Sequence, residues 1–206
     1  MITLIQSPFL EYKLTILRNK KTPNSLFRQT MNESSYLIAA EVLKFLTFKK
    51  TSVQTPIRRT QGKILSQQII LVPILRAGLG LLEGFIKFLP DSEKGHIGLY
   101  RDEQTYKPVE YLFKLPKTKN KKIIILDPML ATGNSSIAAI NLVRGKGVKI
   151  NDIFLVSLLA APEGVKNIQK NQKVLHIFTC KIDSKLNHNK FIVPGLGDAG
   201  DRYMGT

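Results

Sequence analysis

The chain has 206 residues, 43% of them hydrophobic, enough for one core with a small appended element and too few for several independent domains. No apolar run reaches bilayer-spanning length, the opening MITLIQSPFLEYKL lacks the pattern of a secretory signal, and the single cysteine cannot form an internal disulfide. The net charge of +16, from 31 basic against 15 acidic residues, reads as a solvated lysine surface with a field that draws in a small polyanion, not as a nucleic-acid face. A cytoplasmic protein with no membrane partner is expected, and a basic nucleic-acid-binding regulator is the lower-ranked alternative that the charge leaves open.

The segment through Leu17 reads as partly extended. A helix is expected from Thr22-Pro23-Asn24 onward, because Phe27, Met31, Leu37, Ile38, Val42 and Leu43 recur at helical spacing. Ser52 to Thr60 looks extended, punctuated by Pro56. Gln68 to Pro73 is a buried-strand run, followed by Arg76-Ala77-Gly78 and a helix over Leu79 to Phe88. His96 to Tyr100 predicts a short strand, with Tyr111 to Leu115 returning as a hairpin arm and Pro108 near its tip. Ile123 to Leu126, Asp152 to Leu159 and Val174 to Ile182 supply further strands between helical stretches, an alternation that predicts an α/β parallel sheet. Cys180, between Phe178 and Ile182, is expected to be a buried structural thiol. His96, His176 and His188 show no metal-ligand spacing.

Four stretches carry chemistry. In IIILDPMLATGNSS (Ile123–Ser136) a strand ends at Asp127 and passes through a small hydroxyl-rich loop into a helix. A helix N-terminus offers free amide hydrogens to an anion, Thr132, Ser135 and Ser136 add hydroxyls, and the carboxylate can accept from ribose hydroxyls. The plain alternative is an ordinary strand–helix turn capped by Thr or Ser. In VPILRAGLGL (Val72–Leu81) Arg76 directly follows a buried strand, where a guanidinium needs an anion, either a phosphate or an acid such as Glu83. In YRDEQTYKPVEYLFKLP (Tyr100–Pro116) Arg101 ends a strand before a polar stretch that could cover a site or be a surface hairpin. In FIVPGLGDAGDRYMGT (Phe191–Thr206) Gly195, Gly197 and Gly200 surround Asp198, with a second acid at Asp201. Such a loop can present main-chain donors and acceptors to a flat heterocycle and reject an inverted pattern. The alternative is a disordered tail. Phe191-Ile192-Val193-Pro194 argues against it by anchoring the loop to something apolar.

Together these stretches resemble the uracil phosphoribosyltransferases, from about Ser7-Pro8-Phe9 to the last residue. PILRAGLG, DPMLATG, AAPEG (Ala160–Gly164) and PGLGDAGD are long matches in order, and Pro128 stands where other phosphoribosyltransferases usually place a second acid. The resemblance implies a type I phosphoribosyltransferase fold: a mainly parallel twisted sheet flanked by helices, in one domain over 1–206. It also implies a hood from parts of 1–60 and 183–206 and a β-arm at about 101–116.

The implied activity is glycosyl transfer from 5-phosphoribosyl 1-diphosphate (PRPP) to uracil, giving UMP and diphosphate in pyrimidine salvage. By matching position, Arg76 and Arg101 would contact the diphosphate and Asp127 the ribose hydroxyls. Pro128, Met129, Leu130, Ala131, Thr132, Gly133, Asn134 and Ser135 would form the PRPP loop. Ile192, Gly197, Asp198 and Ala199 would take uracil, with Asp198 bridging to PRPP. Magnesium would ride on PRPP with no direct protein ligand. A homo-oligomer and GTP as an effector are implied as well.

The chain departs from the family pattern at several positions. Asn134 stands in place of a phosphate-loop glycine and is expected to tolerate left-handed backbone. Lys190 replaces a glycine, Met204 a phenylalanine and Ser7 a histidine, and the Phe48–Pro56 segment is short.

Overall fold

The computed structural model describes residues 1–101 (Arg101 by its backbone alone) and 108–206. In chain order the elements are β1 (Ile2–Leu4), α1 (Pro8–Arg18), α2 (Asn24–Leu43), β2 (Phe48–Gln54), β3 (Arg59–Leu65), β4 (Gln68–Leu75) and α3 (Leu79–Phe88). They continue with β5 (Glu93–Lys94), β6 (His96–Arg101), β7 (Pro108–Lys114), β8 (Lys121–Leu126), β9 (Met129–Leu130) and α4 (Asn134–Arg144). The last are β10 (Ile153–Ala160), α5 (Pro162–Asn171), β11 (His176–Ile182), β12 (Lys185–Leu186), β13 (Ile192–Val193) and α6 (Ala199–Met204).

Among the described residues the main sheet runs β1-β11-β10-β8-β4-β6-β7, with β5 beside β4 and β9 beside β10. All its pairings are parallel except β6–β7. Side chains alternate across its central strands, so each strand feeds two cores. Ile69, Leu71, Ile124, Leu126, Val156 and Phe178 pack on the side of α1, α2, α3 and α6. Ile70, Val72, Ile123, Ile125, Leu155 and Ile177 pack on the side of α4 and α5. The result is a helix–sheet–helix sandwich, as expected of a mainly parallel α/β chain.

The first segment is extended only at β1, and Pro8–Arg18 is a helix. Ser7 accepts from the Leu10 amide, Pro8 occupies the first helical turn, and Leu10, Leu14 and Leu17 form the buried stripe of α1. A Ser-Pro start with apolar residues at i, i+4 and i+7 is a helix signal. The extended stretch expected at Ser52–Thr60 is instead the turn region of an antiparallel ribbon, β2 and β3, while the other predicted elements, α3 over Leu79–Phe88 among them, stand close to their expected limits. Cys180 is buried, and burial alone pushes its thiol up to about 12, which suits an inert structural role.

Topology sets where a ligand can bind. From β4 the chain first moves to β6 on one side, then returns to β8 on the other. The helix after β4 packs on one face and the helix after β8 on the opposite face. A crevice therefore opens at the carboxyl ends of β4 and β8, the switch point at which open parallel sheets take ligands.

Candidate active site

A cavity of about 470 Å³ lies at that switch point. Arg76 and Ala77 line it from the end of β4, Asp127 from the end of β8, and Thr132, Gly133 and Ser135 from the turn into α4. Ile192, Gly197, Asp198, Ala199 and Gly200 close the opposite wall. Stretches far apart in the chain thus meet in one place. Tyr100 and Tyr111, paired across β6 and β7 with ring centroids 6.4 Å apart, add an aromatic side that sequence reasoning did not single out.

The turn after β8 owes its shape to Gly133, whose φ of +81° is a conformation side chains resist. Asn134 is the first residue of α4 and is not left-handed, so the tolerance for such backbone expected of it is not called upon. Its side chain instead accepts from Asn167 Nδ2 at 3.0 Å, and the same nitrogen donates to the Thr132 carbonyl at 2.8 Å. Asn134 therefore ties the loop to α5 and does not line the cavity. Pro128 and Leu130 do not line it either: the Pro128 carbonyl accepts from the Leu158 and Leu159 amides, and Leu130 is buried in the core. Met129, Ala131, Thr132, Gly133 and Ser135 do face it.

Asp127 sits at the cavity floor. Burial raises its carboxyl to about 6, while hydrogen bonds from Ser136 (2.9 Å) and the Met129 amide (3.4 Å) pull the other way. Ser136 was expected to offer its hydroxyl to an anion, but in this arrangement that hydroxyl donates to Asp127. The first turn of α4 still leaves amides without intrahelical acceptors, and the Thr132 and Ser135 side chains stand beside them.

The Arg76 guanidinium is half exposed where it leaves the end of β4. Its partner is Asp201, at 2.7 Å, and not Glu83. The strand ends at Leu75 and the Leu75–Arg76 peptide is cis. The Arg101 side chain and residues 102–107, where an arm over the site was expected, lie outside what is described.

The far wall is an ordered loop, not a disordered tail. Val193–Pro194 is cis, Gly195 and Gly197 have φ of +56° and +82°, and Asp198 caps α6 by accepting from the Asp201 amide at 3.0 Å. A Cβ at Gly195 would come within 2.1 Å of the Ile192 carbonyl oxygen. Lys190, at φ +63° in the turn between β12 and β13, also lines the cavity. The departure seen in sequence therefore puts a lysine in the lining of the site.

The profile of the uracil phosphoribosyltransferases matches residues 4–206. The chain belongs to the uracil phosphoribosyltransferase family. A uracil phosphoribosyltransferase of Finegoldia magna is 48% identical over 100% of this chain and 98% of its own length. One of Lactococcus lactis is 45% identical over 98% and 97%. The solved structure of the AQ2163 protein from Aquifex aeolicus superposes with a TM-score of 0.92 at 35% identity, over 98% of this chain and 97% of that one. A purine phosphoribosyltransferase from Pyrococcus horikoshii superposes at a TM-score of 0.52 with 16% identity, over 77% of this chain and 87% of that one, and supports the type I fold alone. Membership makes this chain a glycosyltransferase in fold and family, and it agrees with the resemblance drawn from the four motifs.

Proposed function

We propose that this chain transfers the phosphoribosyl group of PRPP to N1 of uracil, releasing diphosphate and forming UMP. The observation that carries this reading is one continuous cavity joining the amide-rich turn of α4, the Asp127 carboxylate and the glycine loop of 192–200. Phosphate, ribose and base follow one another in the same order in the ligand.

In this reading the α4 turn, with Thr132, Gly133 and Ser135, takes the 5′-phosphate through amides and hydroxyls. Asp127 accepts from the ribose hydroxyls, and Arg76 and Arg101 face the diphosphate. Ile192, Gly197 and Ala199 present main-chain groups to uracil. The C1–O bond to diphosphate breaks as the C1–N1 bond forms and the N1 proton passes to the diphosphate or to water, so positive charge develops on the ribose and negative charge on the leaving group. Guanidinium groups held against that developing charge would lower the barrier. None of the three histidines lines the cavity, and no residue is assigned as a general base.

The donor set fits magnesium carried by the substrate. Among the described residues Asp127 and Asp198 are the acids lining the cavity, and no group of three or more His, Cys, Asp or Glu is placed to cage an ion. When bound, magnesium would neutralise the diphosphate. Asp198, one oxygen of which caps α6, and Arg76 line the cavity and would stand beside that group.

The proposal extends to assembly and setting. The β2–β3 ribbon is exposed along most of its length, with Ile57 at its tip 90% exposed, and an isolated ribbon is marginal unless covered. A homo-oligomer that covers it, a hood formed by α1, β12–β13 and α6, a response to GTP and a cytoplasmic setting belong to this reading. No described helix is long and apolar enough to cross a membrane. The basic charge alone suggested a nucleic-acid-binding regulator, and nothing in the site adds to it.

The test is UMP formation from uracil, PRPP and Mg²⁺, run beside cytosine, hypoxanthine and orotate. Product from uracil alone is expected. Product from another base, or from none, would overturn the assignment of the glycine loop. Sedimentation of the same preparation, and its rate with and without GTP, address assembly and effector.

A further inference from the structure

The described part of the cavity wall contains neither Arg18 nor Asp183, yet the two residues hold the loop that forms its far side. Arg18 closes α1, and its fork grips Asp183: Nη1 donates to Oδ2 at 2.8 Å and Nη2 to Oδ1 at 2.7 Å. Nη1 also donates to the Gly195 carbonyl at 2.8 Å, while the Gly195 amide donates to Asp183 Oδ2 at 2.9 Å. Both main-chain groups of Gly195 are therefore held by one ion pair, and the Asp183 side chain is only 3% exposed.

Gly195 is where the loop has least freedom. It follows the cis Val193–Pro194 bond, has a positive φ, and sits too close to the Ile192 carbonyl for any side chain. The next residues, Leu196 to Ala199, lead directly into the cavity wall. Arg202 repeats the pattern from the other side, donating to the Leu196 carbonyl at 2.6 Å and the Asn19 carbonyl at 2.8 Å. The end of α1 is thus stitched to the loop at two successive carbonyls.

We propose that Arg18 and Asp183 are positioning residues for base recognition. They fix the main-chain edge at 192–199 against which uracil is read, without touching the substrate. This rests on the reading of the cavity as a uracil phosphoribosyltransferase site. A planar guanidinium holding a carboxylate and a carbonyl at once restrains direction as well as distance, which lysine cannot do. A site that reads a heterocycle through fixed amides loses affinity when those amides shift by a fraction of an ångström. The phosphate end depends on the α4 turn, which this clamp does not touch.

The experiment compares UMP with ribose 5-phosphate, which carries the same phosphate and ribose but no base. Titration calorimetry would measure both ligands on the parent protein and on Arg18→Lys, Arg18→Gln and Asp183→Asn. The expected result for Arg18→Gln is about a tenfold or greater loss for UMP, with ribose 5-phosphate within about twofold of the parent. Arg18→Lys, which keeps the charge without the fork, should fall between and covers the case in which the glutamine variant does not fold. Retained ribose 5-phosphate binding itself reports a folded site. Equal losses for both ligands, or no loss for UMP, would overturn the clamp. If the parent binds UMP no more tightly than ribose 5-phosphate, the base-recognition reading fails before the clamp is tested.

Discussion

Burial pushes the Asp127 carboxyl up to about 6 although Ser136 and the Met129 amide donate to it, and this sets two opposite pH dependences. For the ligand-free fold, a raised pKa means the proton is bound more tightly in the folded chain than in the unfolded one. The contribution of this group to stability is therefore complete below about 3.8 and lost as pH rises through about 6. For PRPP the sign reverses under the proposed role of Asp127, in which the ribose hydroxyls need the ionised carboxylate as acceptor. We predict that kcat/KM for PRPP falls as pH drops through about 6, approaching tenfold per unit. Asp127→Asn should lower kcat/KM by about 100-fold and abolish that inflection, while its ligand-free form melts no lower than the parent at pH 8. A pH profile unchanged in the variant would remove Asp127 from ribose binding. The motif around Asp127 was legible because it is local: strand, acid, turn and helix lie within fourteen consecutive residues (Ile123–Ser136). What Asn134 does was not, since its partner Asn167 lies 33 residues away. The same holds for Arg76, whose exposure and pairing with Asp201 depend on a contact across 125 residues.

Elements were legible where one face is cleanly apolar. In α3 the buried Leu81, Leu82 and Phe85 stand out, and the limits of the helix follow from them. In α1 the buried Leu10, Leu14 and Leu17 are interleaved with Phe9 and Tyr12, which the fold leaves more than half exposed. Mixed apolar residues on both faces blur the period, and the helix reads as extended. The packing of α2 on α3 shows a constraint no periodicity reveals. The Gly84 amide donates to Ser35 Oγ at 2.8 Å, and a Cβ on Gly84 would lie 2.2 Å from the Ser35 carbonyl carbon. Alanine normally favours a helix over glycine by about 1 kcal/mol. Here forced separation of two helix backbones costs about 1–3 kcal/mol or more and should win. Gly84→Ala is therefore predicted to lower the melting temperature by several degrees, measured by calorimetry on the ligand-free protein. A higher melting temperature would mean that α2 and α3 can slide apart at no cost.

At the scale of the whole molecule the net charge of +16 asks for a use, and the two proposed substrates differ sharply in charge. PRPP is a polyanion carrying a phosphate and a diphosphate, whereas uracil is neutral at pH 7. A positive field over the surface speeds the approach of the first and leaves the second untouched. Part of that field is local to the site, where Arg76 and Lys190 line the cavity. The rest comes from lysines spread over the surface, and salt acts differently on the two. Charges beyond a Debye length of about 8–10 Å are screened at 0.1–0.15 M salt, while contacts inside the cavity keep most of their strength. Raising ionic strength from about 0.02 to 0.3 M should therefore lower kcat/KM for PRPP several-fold and leave kcat/KM for uracil at saturating PRPP nearly constant. Steady-state rates at fixed Mg²⁺ across that range would decide it. Equal sensitivity for both substrates would point to a general effect of salt on the fold. Insensitivity of both would leave the lysines as a solubility feature with no part in substrate capture.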